Sequence, residues 1–265
     1  MKRVSLLVML ALLLAMVPVA TAFAKSPPAQ YLALGNSVPR GLGGFGYVHQ
    51  VHKALKNSSG PMTLANLTVI GDNSDTFIGN GLPAVPAQLY RALATIGGGT
   101  DTEVVTLDLG FNDLIGLTTT AELADALTNF GNNYGAILIA LTAALDVDPN
   151  DEDFLVLTAY NPFRNGSVFG EPLASLEADT DLALLGGDLQ LTISCSFDVE
   201  AGNFRGLNDI IFCTGIAVGA TVVDIYTVID IFDTHVLTGR GPLPNIHPNS
   251  AGHTNIANEV KVALG

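Results

Sequence analysis

The chain predicts an α/β fold, a three-layer α/β/α sandwich around a flavodoxin-like five-stranded parallel sheet. Two observations carry this expectation. Five short runs are rich in leucine and β-branched residues with few internal charges, the pattern of strands covered on both faces. Helical segments alternate with them, which calls for a parallel sheet joined by right-handed crossovers.

The strands are expected at 30–35, 64–70, 103–109, 154–160 and 221–226, and the helices at 46–56, 85–95, 120–145, 205–218 and 250–263. The last helix has the clearest start. Asn249 can cap it, and Ile256, Val260 and Val262 fall roughly on one side. Segment 161–204 fits neither template. It opens with Asn161-Pro162-Phe163 and carries Gly186-Gly187, so it is expected to be a loop-rich excursion over the active-site side of the sheet.

Met1-Lys2-Arg3 followed by the apolar run 4–20 and by Ala22-Phe23-Ala24 has the charged, apolar and small-x-small order of a secretory signal peptide cut after Ala24. An uncleaved membrane anchor is the alternative, opposed by Pro18 and the small residues that follow it. Cutting there removes 24 of 265 residues and leaves 241, enough for one α/β domain at 25–265. It also takes away Lys2 and Arg3, moving the net charge from −14 to −16. Such a charge repels nucleic acid and anionic membrane surfaces, so a polyanion-binding role is discarded. With 48% hydrophobic and only 14% charged residues, the chain is no disordered acidic tail. An exported chain meets an oxidising space, extracellular or periplasmic, so Cys195 and Cys213 are expected to form a disulfide, with two buried free thiols as the alternative. Two cysteines without a nearby histidine pair do not make a zinc site.

The chemistry is expected beside the sheet edge, at strand ends and just ahead of the last helix. Residues 31–37, Tyr-Leu-Ala-Leu-Gly-Asn-Ser, are an apolar strand that stops on a turn exposing Ser37. Residues 105–113 are a second strand that ends on Gly-Phe-Asn-Asp, and residues 247–253 put His247 just ahead of the last helix. Acyl transfer needs a nucleophile, a base that takes its proton, and donors aimed at the developing oxyanion. Ser37 can attack and offer its own N–H, Gly71 can bring a bare N–H close, Asn112 can donate its side-chain amide, and His247 can act as the base. Taken singly, each has a plainer role: Ser37 as a helix cap, Gly71 and Gly110 as turn residues, Asn112 as a cap or left-handed turn residue.

Taken together, these segments resemble the GDSL or SGNH hydrolases, a family of esterases and lipases. Leu34-Gly35-Asn36-Ser37 matches the first block, with Asn36 where the family usually has aspartate. Asn66 through Ser74 matches the second, Gly110-Phe111-Asn112-Asp113 the third, and His247-Pro248-Asn249 with Gly252 the block that carries the histidine. The blocks come in the family's order over nearly the whole chain after the leader. The resemblance implies the SGNH hydrolase fold, Ser37 and His247 as catalytic residues, and an oxyanion hole of Ser37, Gly71 and Asn112. His253 is read as packing, and His49, His52 and His235 as surface or core residues.

One further departure stands out. The family aspartate, most often three residues before the histidine, is replaced by Pro244, with Asn245 next to it, and no acid lies between Asp233 and His247. A backbone carbonyl or a distant acid such as Asp233 is left to orient the base. The expectation is a secreted serine ester hydrolase acting on a small-molecule, lipid or glycan ester through an acyl-enzyme, without metal or cofactor. Its rivals are an acyltransferase using the same serine and a catalytically impaired SGNH-like domain that binds an ester-bearing glycan or lipid.

Overall fold

A computed structural model describes residues 28–80, 87–117, 119–145, 152–160, 206–229 and 247–265. The expected leader, the excursion at 161–204, and Cys195, Asp233, His235, Pro244 and Asn245 lie outside the described residues. Among those described, five strands form one parallel sheet in the order β2-β1-β3-β4-β5: β1 Ala29–Gly35, β2 Met62–Asn66, β3 Asp101–Asp108, β4 Asp153–Leu157 and β5 Thr221–Val223. This is the flavodoxin-like order expected. The sheet reverses direction of growth between β1 and β3, and open α/β sheets place their ligands in the crevice at such a switch point.

The interior strands are buried along nearly their whole length, which is why the sequence shows continuous apolar runs there rather than alternation. Alternate residues then feed two cores. Leu32, Leu34, Val105, Leu107 and Val156 face the helices α4 Gln88–Ile96, α5 Thr120–Leu145 and α6 Leu207–Ala217. Tyr31, Ala33, Val104, Leu155 and Leu157 face α2 Tyr47–Ser58 and α7 Ser250–Ala263. Two short helices, α1 Ser37–Arg40 and α3 Ser74–Ile78, follow β1 and the turn beyond β2. No helix among the described residues is long and apolar enough to cross a membrane.

Three strands end earlier than their sequence suggests. After Asn66 the chain turns on that residue's own side chain, whose Oδ1 accepts from the Thr68 N–H at 3.2 Å, and Ile70 is exposed. β4 stops at Leu157 because β5 offers partners only as far as Val223. Beyond that pair the Thr158 hydroxyl takes the N–H groups of Ile225 and Tyr226 instead. In α7, Ile256 and Val260 are buried as expected, but Val262 is 76% exposed. Two positions along a helix turn about 200°, so 262 cannot share the face of 260.

Gly35 ends β1 opposite Asp108, and the two backbones nearly touch there. A Cβ at position 35 would sit 2.0 Å from the Asp108 carbonyl oxygen, and the backbone has φ +123°. Gly35→Ala is expected to lose more than about 4 kcal/mol of stability in urea unfolding. Gly99→Ala, with φ +77° but nothing within 4 Å, should lose only about 1–2 kcal/mol.

Asp108 itself is a carboxyl buried in this contact. Its Oδ2 has no hydrogen-bond partner among the described residues, and burial pushes its pKa from 3.8 up to about 7. An acid raised in the fold holds its proton longer folded than unfolded. Its cost to stability is therefore absent near pH 4, grows as pH rises to 7, and stays beyond. Asp108→Asn should match the parent near pH 4 and exceed it at pH 8, by on the order of 4 kcal/mol, when urea unfolding is compared at both.

Candidate active site

Ser37 follows β1 as the first residue of α1. Asn36, not Ser37, is the cap: its Oδ1 accepts from the Val38 N–H at 3.0 Å. Asparagine caps as well as the aspartate usual in the resembling family, and does so without placing a charge beside the serine. The N–H of Ser37 takes no part in that cap.

His247 reaches Ser37 from the other end of the chain. Its Nε2 lies 2.8 Å from the Ser37 Oγ, across 210 positions of sequence. A glycine-rich loop brings them together. A Cβ on Gly43 would stand 2.3 Å from the Pro248 carbonyl oxygen and 2.9 Å from the His247 Cβ, and one on Gly44 would stand 2.5 Å from the Ser250 nitrogen. The loop after the serine thus lies flat against the segment that carries the histidine. His253 fastens the same contact, with its Nε2 2.9 Å from the Leu42 carbonyl, and packs in the core as expected. Asn249 caps α7 through the N–H groups of Ala251 and Gly252, fixing the helix that follows His247. Burial holds the His247 pKa below the ordinary histidine value, so the ring favours its neutral form. With the proton on Nδ1, its Nε2 accepts the Ser37 hydroxyl.

Asn112 stands in a single 3-10 turn, Phe111–Asp113, after β3. Its Nδ2 donates to the Asp72 carbonyl at 2.8 Å, leaving the second amide hydrogen free to point elsewhere. Asp113 holds the same neighbourhood from one residue on: both its carboxylate oxygens accept from the Ser74 N–H at 3.1 Å. Burial pushes this carboxyl up to about 6, against the pull of the Ser74 hydrogen bonds.

The serine, the histidine and Asn112 line one cleft of about 350 Å³ open to solvent, walled by Val38, Phe111, Ala159 and Tyr160 with Asp108 among the lining groups. Gly71 is the one expected site residue that does not line this cleft. It sits exposed at the tip of the turn after β2, with φ +81°, next to the Asp72 that Asn112 grips.

Sequence reasoning missed the 41–46 loop and Gln88. The run Gly41-Leu42-Gly43-Gly44-Phe45-Gly46 reads as a plain turn until its contact with residues 247–250 is seen. Gln88 carries no motif at all.

No family model matches the chain, and no curated protein matches it in sequence. Solved structures do share its fold. The lipase Lip_vut3 from a goat rumen metagenome is 17% identical over 89% of this chain and 97% of its own, with a TM-score of 0.55. Axe2, an acetylxylan esterase from Geobacillus stearothermophilus, is 11% identical over 91% and 97%, also at 0.55. The psychrotrophic esterase EstA of Pseudoalteromonas sp., solved inhibited by monoethylphosphonate, is 14% identical over 89% and 96%, at 0.50. At such identities the likeness speaks for architecture alone, an α/β fold with a five-stranded parallel sheet between layers of helices.

Proposed function

We propose that the protein is an exported serine ester hydrolase working through an acyl-enzyme, with Ser37 as nucleophile and His247 as base. The observation that carries this reading is the 2.8 Å approach of the His247 Nε2 to the Ser37 Oγ at the switch point of the sheet. As Oγ bonds to the ester carbonyl carbon, Nε2 takes its proton. The oxyanion is met by the N–H of Ser37 and by the second amide hydrogen of Asn112, and Gly71, outside the cleft, is the third donor that the family resemblance implies. The imidazolium returns the proton to the leaving alkoxide, and water repeats the sequence on the acyl-serine. The names of the structural neighbours, lipase and esterase, support the same class of substrate.

Ser37→Ala is expected to abolish hydrolysis of p-nitrophenyl acetate and labelling by a fluorophosphonate while leaving the circular dichroism spectrum intact. Turnover above a small fraction of the parent rate would exclude Ser37 as nucleophile. Product analysis with an added alcohol separates hydrolysis from acyl transfer, and ester binding without Ser37 labelling would favour a silent binding domain. Because burial lowers the His247 pKa, the acid limb of kcat/KM should fall below the ordinary histidine value of 6.5. A limb at or above that value would show that the base is held in a different environment.

The reading also includes cleavage of residues 1–24 on export and a disulfide between Cys195 and Cys213, Cys213 standing on α6. Closing a loop of this size contributes roughly 3 kcal/mol in the chain-entropy model. Non-reducing peptide mapping of the exported protein should recover the two cysteines in one cross-linked pair.

A further inference from the structure

Gln88 is 2% exposed, opens α4, and spends its amide on the backbone of Gly35 and the side chain of Asp72. Its Oε1 accepts from the Gly35 N–H at 2.6 Å, and its Nε2 donates to the Gly35 carbonyl at 2.9 Å and to the Asp72 Oδ2 at 2.7 Å. Gly35 is two residues before Ser37. Asp72 follows Gly71, and its carbonyl accepts the Asn112 amide. One side chain therefore ties the strand that delivers the serine to the turn whose Asp72 carbonyl holds Asn112.

We propose that Gln88 is the positioning residue of the oxyanion hole. The proposal rests on the ester-hydrolase reading above. The turn after β2 lacks ladder pairing beyond Asn66 and is held to β1 by two isolated bonds, Leu67 N–H to Ala33 and Val69 N–H to Gly35. Both precede Gly71, and one turn bond, from the Asp72 N–H to the Val69 carbonyl at 3.2 Å, closes the tip behind them. Asn112 and Asp113 grip the tip from the β3 side, through Asp72 and Ser74. Gln88 supplies the grip from the β1 side. Without it, the donors keep their contacts to one another but lose their fixed distance from Ser37. Displacement by about 1 Å from a productive geometry costs on the order of 100-fold in rate. Since the oxyanion exists only in the transition state, the loss falls on kcat and not on KM.

The role differs from simple structural support in a measurable way. Gln88 acts through Asn112 and Gly71, so its removal should matter little once the Asn112 donor is gone. Gln88→Met, Asn112→Ala and the double variant are compared on p-nitrophenyl acetate well below their thermal midpoints. Asn112→Ala is expected to lower kcat by on the order of 100- to 1,000-fold. Gln88→Met should lower it by about 10- to 100-fold with KM within about threefold, and the double variant should stay within about threefold of Asn112→Ala. Losses that multiply in the double variant, or a Gln88→Met effect confined to KM or to thermal stability, overturn the proposal. Should Gln88→Met not fold, Asp72→Ala cuts the same tie at its other end while leaving Gln88 on Gly35. The same cycle then applies, with sub-multiplicative losses expected and multiplicative ones overturning the proposal. Parent enzyme and Ser37→Ala are run alongside. A parent without Ser37-dependent turnover overturns the ester-hydrolase reading itself, whereas multiplicative losses in an active enzyme overturn only the role of Gln88.

Discussion

At the switch point of the sheet the backbones of β1 and β3 approach as closely as backbone can, Gly35 against Asp108, with the Asn36 N–H continuing the contact onto the Asp108 carbonyl at 3.2 Å. Everything chemical is suspended from this junction. Ser37 leaves one strand two residues later, and Asn112 leaves the other four residues later. The cleft is the gap the two departures leave. Only a residue without a Cβ permits the approach, so the glycine of the Gly-Asn-Ser turn is a requirement of sheet closure.

Past the ends of the strands, the ladder no longer satisfies the backbone, and side-chain amides take its place. Gln88 closes on both polar groups of Gly35, and Asn208 does the same to Ala159, accepting its N–H at 2.7 Å and donating to its carbonyl at 2.9 Å. Both amides come from the first turn of a helix on the same side of the sheet. Buried backbone groups must find partners, and a carboxamide is the side chain that can both give and accept at one residue. The device lets strand ends run beyond their pairing and become walls of a cleft.

The strand–helix alternation was legible because parallel strands buried on both faces must be apolar throughout, and the sheet order follows. Two of the cleft residues were legible for a related reason: Ser37 and Asn112 each stand just past the end of such a run, while His247 stands ahead of the last helix. Strand ends were less so. Val69 and Ile70 look like strand, yet Asn66 turns the chain before them, and a single Asx contact leaves little trace in an apolar run. Val262 misled for a simpler reason, since an apolar side chain near a helix end need not face the core. Least legible were residues whose importance is entirely relational. Gly43 and Gly44 matter because Pro248 and Ser250 lie against them, and Gln88 because Gly35 and Asp72 flank it. No local pattern encodes a contact across 50 or 200 positions.

The pairing of Ser37 with His247 also has a consequence in time. The two residues are 210 positions apart, and the histidine stands on the segment that leads into the final helix. A chain emerging from the ribosome carries Ser37 long before it carries His247. The sheet switch point can close when β3 arrives, but Ser37 has no histidine partner until residues 247–265 follow and lie down on the glycine loop. On the proposed roles, the base joins the nucleophile only when the end of the chain folds back, and a molecule that ends between β5 and His247 would hold all five strands and the serine without its histidine.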